Sequence, residues 1–325
     1  MASLEPVVLY KLDTEKGEGI ELAKEFKIKG YPTFVILNDK GQTVDRWIGY
    51  TKEYLLATME SAMMDLTPIQ EKMFRFETDP NLNDALVLGR YSRSLGEYED
   101  AVKYYRAAQK INEDPDKDYL YEIFSNTADG ALKDMFTFED AGNAADAVLA
   151  SAATDADDKY GVASKMTHLA EKKEKLDLVT PYLEAGIEAL KGSEDPDDAR
   201  NYATLMADYS LYVTKDHDKA VSYKKKTMPE GWQENAGNLN SFCWWCFENK
   251  VNLEEAEELS RKSVKLAEPG EEKAMYLDTL SEICNALGKL YEAVEFMKIA
   301  VREAPDNEYY KEQLERFEKL LASKN

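Results

Sequence analysis

Four alanines constrain most of this chain. Ala185, Ala220, Ala256 and Ala293 fall 35, 36 and 37 residues apart. The first three close similar four-residue runs, Tyr182-Leu183-Glu184-Ala185, His217-Asp218-Lys219-Ala220 and Leu253-Glu254-Glu255-Ala256, each of which fits the start of a helix. A near-constant period in segments with helical spacing of apolar residues predicts a stack of helical hairpins. One hairpin cannot bury its apolar stripe alone, and stacking neighbours makes a continuous core. Small residues at the repeat positions let two helix backbones approach closely. From about Asn83 onward no strand-like alternation interrupts the pattern, so residues 83–325 read as one helical repeat region.

Two units are clearest. The first is Leu88-Gly89, Gly96, Tyr98, Ala101, Tyr105 and Ala108, closing at Asn112-Glu113-Asp114-Pro115. The second is Leu280, Gly288, Leu290, Ala293, Met297, Ala300 and Pro305. Glycine supplies the turn between helices and proline stops the second helix. These spacings resemble the tetratricopeptide repeat. The resemblance implies an α-α superhelical solenoid whose first helices line a groove for protein or peptide partners. It places Arg90 and Arg93 on or near that groove, there to meet an acidic partner or to pair with the chain's own carboxylates. The stretch Asp116 to Asp158 is helical in composition but has no secure phase. One or two further pairs are expected there, joined through Ala150 to Asp155. Segments 194–196 and 229–232 read as loops between repeats, and Asn307 to Ala322 as a C-terminal cap.

The first 66 residues differ. Pro6 to Asp13 is apolar and β-prone and reads as a buried strand. Gly19 to Phe26 places Ile20, Leu22, Ala23 and Phe26 on one helical face. After Lys29-Gly30 and Pro32 comes a β-rich run, Thr33 to Leu37. An Asn38-Asp39-Lys40-Gly41 turn leads into the alternating run Gln42 to Ile48, and Thr51 to Met64 follows as an amphipathic helix. This order, with Gly30-Tyr31-Pro32-Thr33-Phe34 opening the second strand and Gly49-Tyr50 after the third, resembles the C-terminal half of a thioredoxin-like fold. The resemblance implies a cis Pro32 and a substrate-binding loop formed by Tyr31, Pro32 and Thr33. The half that carries the Cys-x-x-Cys motif in that family is missing, because no cysteine lies between Met1 and Gly30. The sheet then either closes up or keeps an unpaired edge, a reason to expect a truncated start or a partner that fills the gap. The expected organisation is a partial thioredoxin-like domain at 1–66, a linker or helix at 67–82, and repeats at 83–325, a mostly α chain.

The 325 residues carry a formal net charge of −22 and a mean hydropathy of −0.56. Such acidity argues against nucleic acid, whose binding rests on Lys and Arg releasing counterions, and it allows a preference for basic partner segments. No run reaches the roughly 18 apolar residues of a membrane span, and no leader-like segment opens the chain. The thioredoxin-like resemblance implies an exported bacterial protein. Oligomeric state is not readable.

Three cysteines, Cys243, Cys246 and Cys284, are too few and too unevenly spaced for a disulfide scaffold. Cys243-Trp244-Trp245-Cys246 is a literal Cys-x-x-Cys. Redox sites of that form sit at a helix start, where exposed amides lower the thiol pKa. Here the motif falls inside a helical run among large aromatics, which favours core packing over redox chemistry. His168 and His217 lie in different repeats with no ligand pattern around them. No metal or cofactor is called for, and no catalytic residue is placed. The expectation for the chain is therefore a protein–protein interaction module. The alternative is a thiol-disulfide oxidoreductase whose dithiol half is missing.

Overall fold

The computed structural model describes residues 7–323. Its first part runs α1 (Glu18–Glu25), β1 (Thr33–Leu37), β2 (Thr43–Ile48), α2 (Lys52–Met64) and α3 (Ile69–Thr78). Helices alone follow: α4 (Leu82–Leu95), α5 (Tyr98–Ile111), α6 (Leu120–Ala131), α7 (Phe138–Ala150), α8 (Ala156–Lys172) and α9 (Thr180–Leu190). Then come α10 (Pro196–Tyr212), α11 (His217–Thr227), α12 (Ala236–Asn249), α13 (Leu253–Leu266), α14 (Glu271–Ala286), α15 (Leu290–Glu303) and α16 (Glu308–Ser323). The protein is mostly α, and its helices form the expected hairpin array. It divides into two compact units, Met1–Ala185 and Gly186–Asn325.

In the first unit α4 and α5 form the first repeat hairpin. Gly96 ends α4 in the left-handed region (φ 70°), where its amide bonds back to the helix. The two helices touch closely because Gly89 has no side chain; a Cβ there would meet the Tyr105 ring at 2.9 Å. Next, α6 pairs with α7, and α6 also packs on α8, the first helix of the following pair. Threonine and aspartate at the start of α7 exchange side-chain bonds, a capping box of Thr137 and Asp140 that fixes where this helix begins. The unphased stretch therefore holds one complete hairpin. Its glycines hide the pattern: Gly130 faces the Phe136 ring and Gly161 faces Tyr121, so close helix contacts fall where no alanine signals them.

The second unit repeats the arrangement with α10/α11, α12/α13 and α14/α15, and α16 closes the last pair. Helix α12 also packs on α14. Ala274, Leu277, Leu280, Ala293, Met297 and Phe317 form the final core layer. Each of these side chains contributes roughly 1.5–3 kcal/mol if large, and much less if alanine.

One expected element is absent. Residues 7–13 form no strand, and the sheet has two strands, not three, among the described residues. Val8, Leu9 and Tyr10 are 94%, 74% and 70% exposed. Their β-prone composition is real, but a strand exists only where a neighbour takes its backbone bonds. Pro6, the first residue of that expected strand, lies outside the described residues. The rest of the segment follows expectation, with β1 and β2 antiparallel and Thr51 capping α2 through the Tyr54 amide.

Asp278 on α14 carries a pH signature. It is buried, its Oδ1 lacks a partner, and its Oδ2 accepts from the Tyr309 hydroxyl of α16 at 3.2 Å. Burial, with Glu282 nearby, pushes its carboxyl up from 3.8 to about 6. The folded state thus holds a proton more tightly than the unfolded chain between roughly pH 4 and 6, and stability contributed by Asp278 falls as pH rises through that window. Asp278→Asn should stabilise the protein at pH 7, by at most about 3 kcal/mol, and change little at pH 4. Urea titrations at the two pH values test this; an equal effect at both removes the assignment.

Candidate functional site

The β1–β2 ribbon is too small to stand alone, and the first helices hold it in place. Strand β2 packs on α3 and α4, and Val44, Asp45, Arg46 and Trp47 are all buried. Aromatic contacts extend from the ribbon: Phe34 stacks on Trp47 at 5.0 Å and on Tyr50 at 6.2 Å, and Trp47 meets Tyr54 of α2 edge-on at 6.3 Å. Polar anchors surround this patch. Arg90 of α4 donates to the Asp45 carboxylate at 2.6 Å. Burial pushes the Asp45 carboxyl up while Arg90 pulls against it. On the other face of β2, Arg46 donates to the carbonyls of Phe26 and Lys27 beyond α1.

Two further cations act as internal staples. Lys72 is 1% exposed and donates to the carbonyls of Thr67 (2.6 Å), Asp65 (3.0 Å) and Val44 (3.4 Å). Burial lowers its pKa, opposed by Asp65 and Asp45. Arg75 bridges Asp84 (2.6 Å) and Asp65 (2.6 Å). Burial works against ionisation of Asp65, yet the bonds from Arg75 and Thr67 win and hold its carboxyl at about 2.

The expected groove residues separate. Arg90 is committed to Asp45, so β2 covers the part of α4 where a groove contact was placed. Arg93, one turn on, stays half-exposed and lies 4.0 Å from Asp129 of α6. Asp129 in turn accepts from Lys165 of α8 at 2.5 Å. Arg93, Asp129 and Lys165 thus link the first helices of three successive hairpins. Beside them lie Tyr121, set against Gly161 of α8, and Glu122. Burial raises the Glu122 pKa, with Asp158 and Asp118 adding to the effect and Arg93 opposing it. Sequence reasoning missed Tyr121, Glu122, Asp129, Asp158 and Lys165. Four of the five lie within the stretch that has no secure phase; Lys165 lies beyond it, on α8. Registers for both α6 and α8, taken from Gly130 and Gly161, would have placed them.

The loop residues sit at the ribbon's start. The Tyr31–Pro32 peptide is cis, the Thr33 hydroxyl bonds to the Gly30 carbonyl at 2.6 Å, and Tyr31 is 70% exposed. The Tyr31 hydroxyl accepts from Thr14 at 3.0 Å.

In the second unit Cys243 and Cys246 lie within α12, fully buried among Phe242, Trp245 and Ala256. Burial drives the Cys243 thiol far above its ordinary range and Cys246 to about 12. Cys284 is buried also, at about 12. Its sulfur lies within 4.8 Å of carboxylate oxygens of Glu257 and Glu292. Those carboxylates already accept from Arg261, and Glu257 also from Lys289 at 2.6 Å. Two cations beside the cluster leave it a structural ion network. An open cleft of about 610 Å³ lies between α10 and α11, lined by Arg200, Tyr202, Tyr223 and Lys226 among others.

A family match bears on the repeat reading of α4 and α5. A family described as tetratricopeptide repeat matches residues 86–115, the α4/α5 hairpin. A solved tetratricopeptide repeat protein from Parabacteroides merdae is 16% identical, covering 82% of this chain and 96% of its own, with a TM-score of 0.46. No curated protein matches the chain.

Removing Arg90 should expose how much the ribbon depends on it. Arg90→Ala leaves a buried carboxylate without its cation and should destabilise by about 3–5 kcal/mol, while Asp45→Leu with Arg90→Met should cost far less. The single variant's deficit should shrink as pH falls and the raised Asp45 carboxyl takes up a proton. Urea unfolding of the three proteins reads this directly, and an equally damaging double variant contradicts it.

Proposed function

We propose that this chain is a protein–protein interaction module that takes extended partner segments along the first helices of its hairpins. The observation that carries the reading is the row Arg93, Asp129 and Lys165, which with Tyr121 and Glu122 lines α4, α6 and α8 on one face. A row of polar and aromatic side chains on adjacent first helices offers a peptide both hydrogen bonds and stacking surface. The carboxylates Glu122 and Asp158 and the overall charge favour partners bearing Lys or Arg. In this reading the α1–β1–β2–α2 segment is a thioredoxin-related remnant, supported by its element order, and serves as a structural cover for α4.

Peptide arrays of matched basic and acidic sequences, followed by anisotropy titration, test the proposal. Basic peptides should bind preferentially. Glu122→Gln with Asp158→Asn should weaken them by about tenfold, and more at low salt than at high salt. Equal binding of acidic and basic peptides removes the charge preference; no binding across the array removes the function.

The redox alternative has a separate test. Thiolates are the reactive species, and these thiols are held protonated by burial. The folded protein should therefore reduce insulin no faster than buffer. Its three thiols should alkylate at pH 7.5 only after denaturation. A rate above background, or rapid labelling of Cys243 or Cys246, overturns the non-enzymatic reading.

A further inference from the structure

Among the described residues strand β1 is an edge. The bonds from the Asn38 amide to the Gln42 carbonyl (3.0 Å) and from the Gly49 amide to the Pro32 carbonyl (2.9 Å) bracket its ladder with β2. Antiparallel alternation then turns the even-numbered positions toward β2 and the backbone groups of Thr33, Val35 and Leu37 away from it. Among the described residues those outward groups bond to no other strand or loop backbone. Proteins blunt such edges with lysine or an inward charge. Strand β1 reads Thr-Phe-Val-Ile-Leu and has none.

The surroundings share this character. Twelve of the twenty exposed large apolar side chains among the described residues lie between Val8 and Phe74, including Tyr31, Leu37, Ile48 and Tyr50. Residues 7–66 carry eight Lys and Arg against ten Asp and Glu, while the whole chain stands at −22. Like-charge repulsion, which the net charge of the whole chain sets against self-association, is therefore weak in this segment.

We propose that the outer edge of β1 pairs with the same edge of a second copy of this chain. The two strands run antiparallel about a two-fold axis at Val35, and the two ribbons become one four-stranded sheet. In that register Val35 faces Val35, Thr33 faces Leu37 and Phe34 faces Ile36. Every facing pair is apolar or β-branched and no like charges oppose, the arrangement that stabilises cross-strand neighbours. The outward groups of both strands supply about six backbone hydrogen bonds. The contact is isologous, so it closes at two copies and does not propagate. Four strands also lift the sheet past the two-stranded ribbon, which is marginal in water. The paired strands bury less than the roughly 1,200 Å² of a standard interface, so the dimer is weak and depends on concentration.

Sedimentation from micromolar to millimolar protein, with amide exchange followed in parallel, tests this. The expected result is a monomer–dimer equilibrium that salt strengthens by screening the net charge. Exchange at Thr33, Val35 and Leu37 should slow as concentration rises, while Phe34 and Ile36 stay unchanged. Leu37→Pro removes an outward donor at the exposed end of the strand and should weaken association about tenfold or more, with the helical circular dichroism retained. A monomer at every concentration overturns the proposal, as does a dimer that leaves those three amides unaffected. Protection of the same amides at all concentrations also overturns it, because a segment of the same chain then holds the edge.

Discussion

The Asp45–Arg90 ion pair ties the two-stranded ribbon to the first repeat helix of the first unit. A two-stranded ribbon has too little apolar surface to persist by itself, and its second strand is buried on both faces. One face meets α4, where Arg90 reaches the Asp45 carboxylate at 2.6 Å; the other is tied by Arg46 to the carbonyls that follow α1. A buried charge is tolerated only with its partner in place, so the pair fixes where the ribbon sits more than it adds to stability. Lys72 and Arg75 extend the same logic, satisfying the carbonyls of Val44, Asp65 and Thr67 and the carboxylates of Asp65 and Asp84.

That docking decides which helical surface of α4 is left open. The ribbon covers α4 around Arg90, and what is left open passes to Arg93 and onward to α6 and α8. In the proposed reading the interaction face of this unit therefore begins after the ribbon. Its charge row is a product of stacking: Arg93, Asp129 and Lys165 come from three hairpins, and the contact between α6 and α8 brings the last two to 2.5 Å. The closeness of those helices rests on Gly161, whose missing side chain admits Tyr121.

The cysteines show how a motif loses its chemistry through its setting. Cys243 and Cys246 have the spacing of a redox pair, but mid-helix burial removes the helix-start amides and the solvent that a thiolate needs. Their aromatic neighbours in the sequence already announced this, because the run is apolar on all sides. The edge of β1 is the converse case. Nothing in Thr-Phe-Val-Ile-Leu distinguishes an edge strand from a central one, and only the absence of a neighbour at residues 7–13 leaves it open.

By itself the sequence determined the helical hairpins. Their alanine period, turn glycines and capping residues act within a few residues of one another, so local chemistry was enough to place α4/α5, α14/α15 and the starts of α11 and α13. The two strands, their turn and the buried state of the cysteines were legible for the same reason. Tertiary structure alone decided that Arg90 belongs to Asp45, 45 residues away, and that Val7 to Asp13 does not become a strand. It also assembled the face formed by Tyr121, Glu122, Asp129 and Lys165. An ion pair, a sheet edge and a groove each depend on which backbone lies alongside, and a pattern of period three or four holds no information about a neighbour in space.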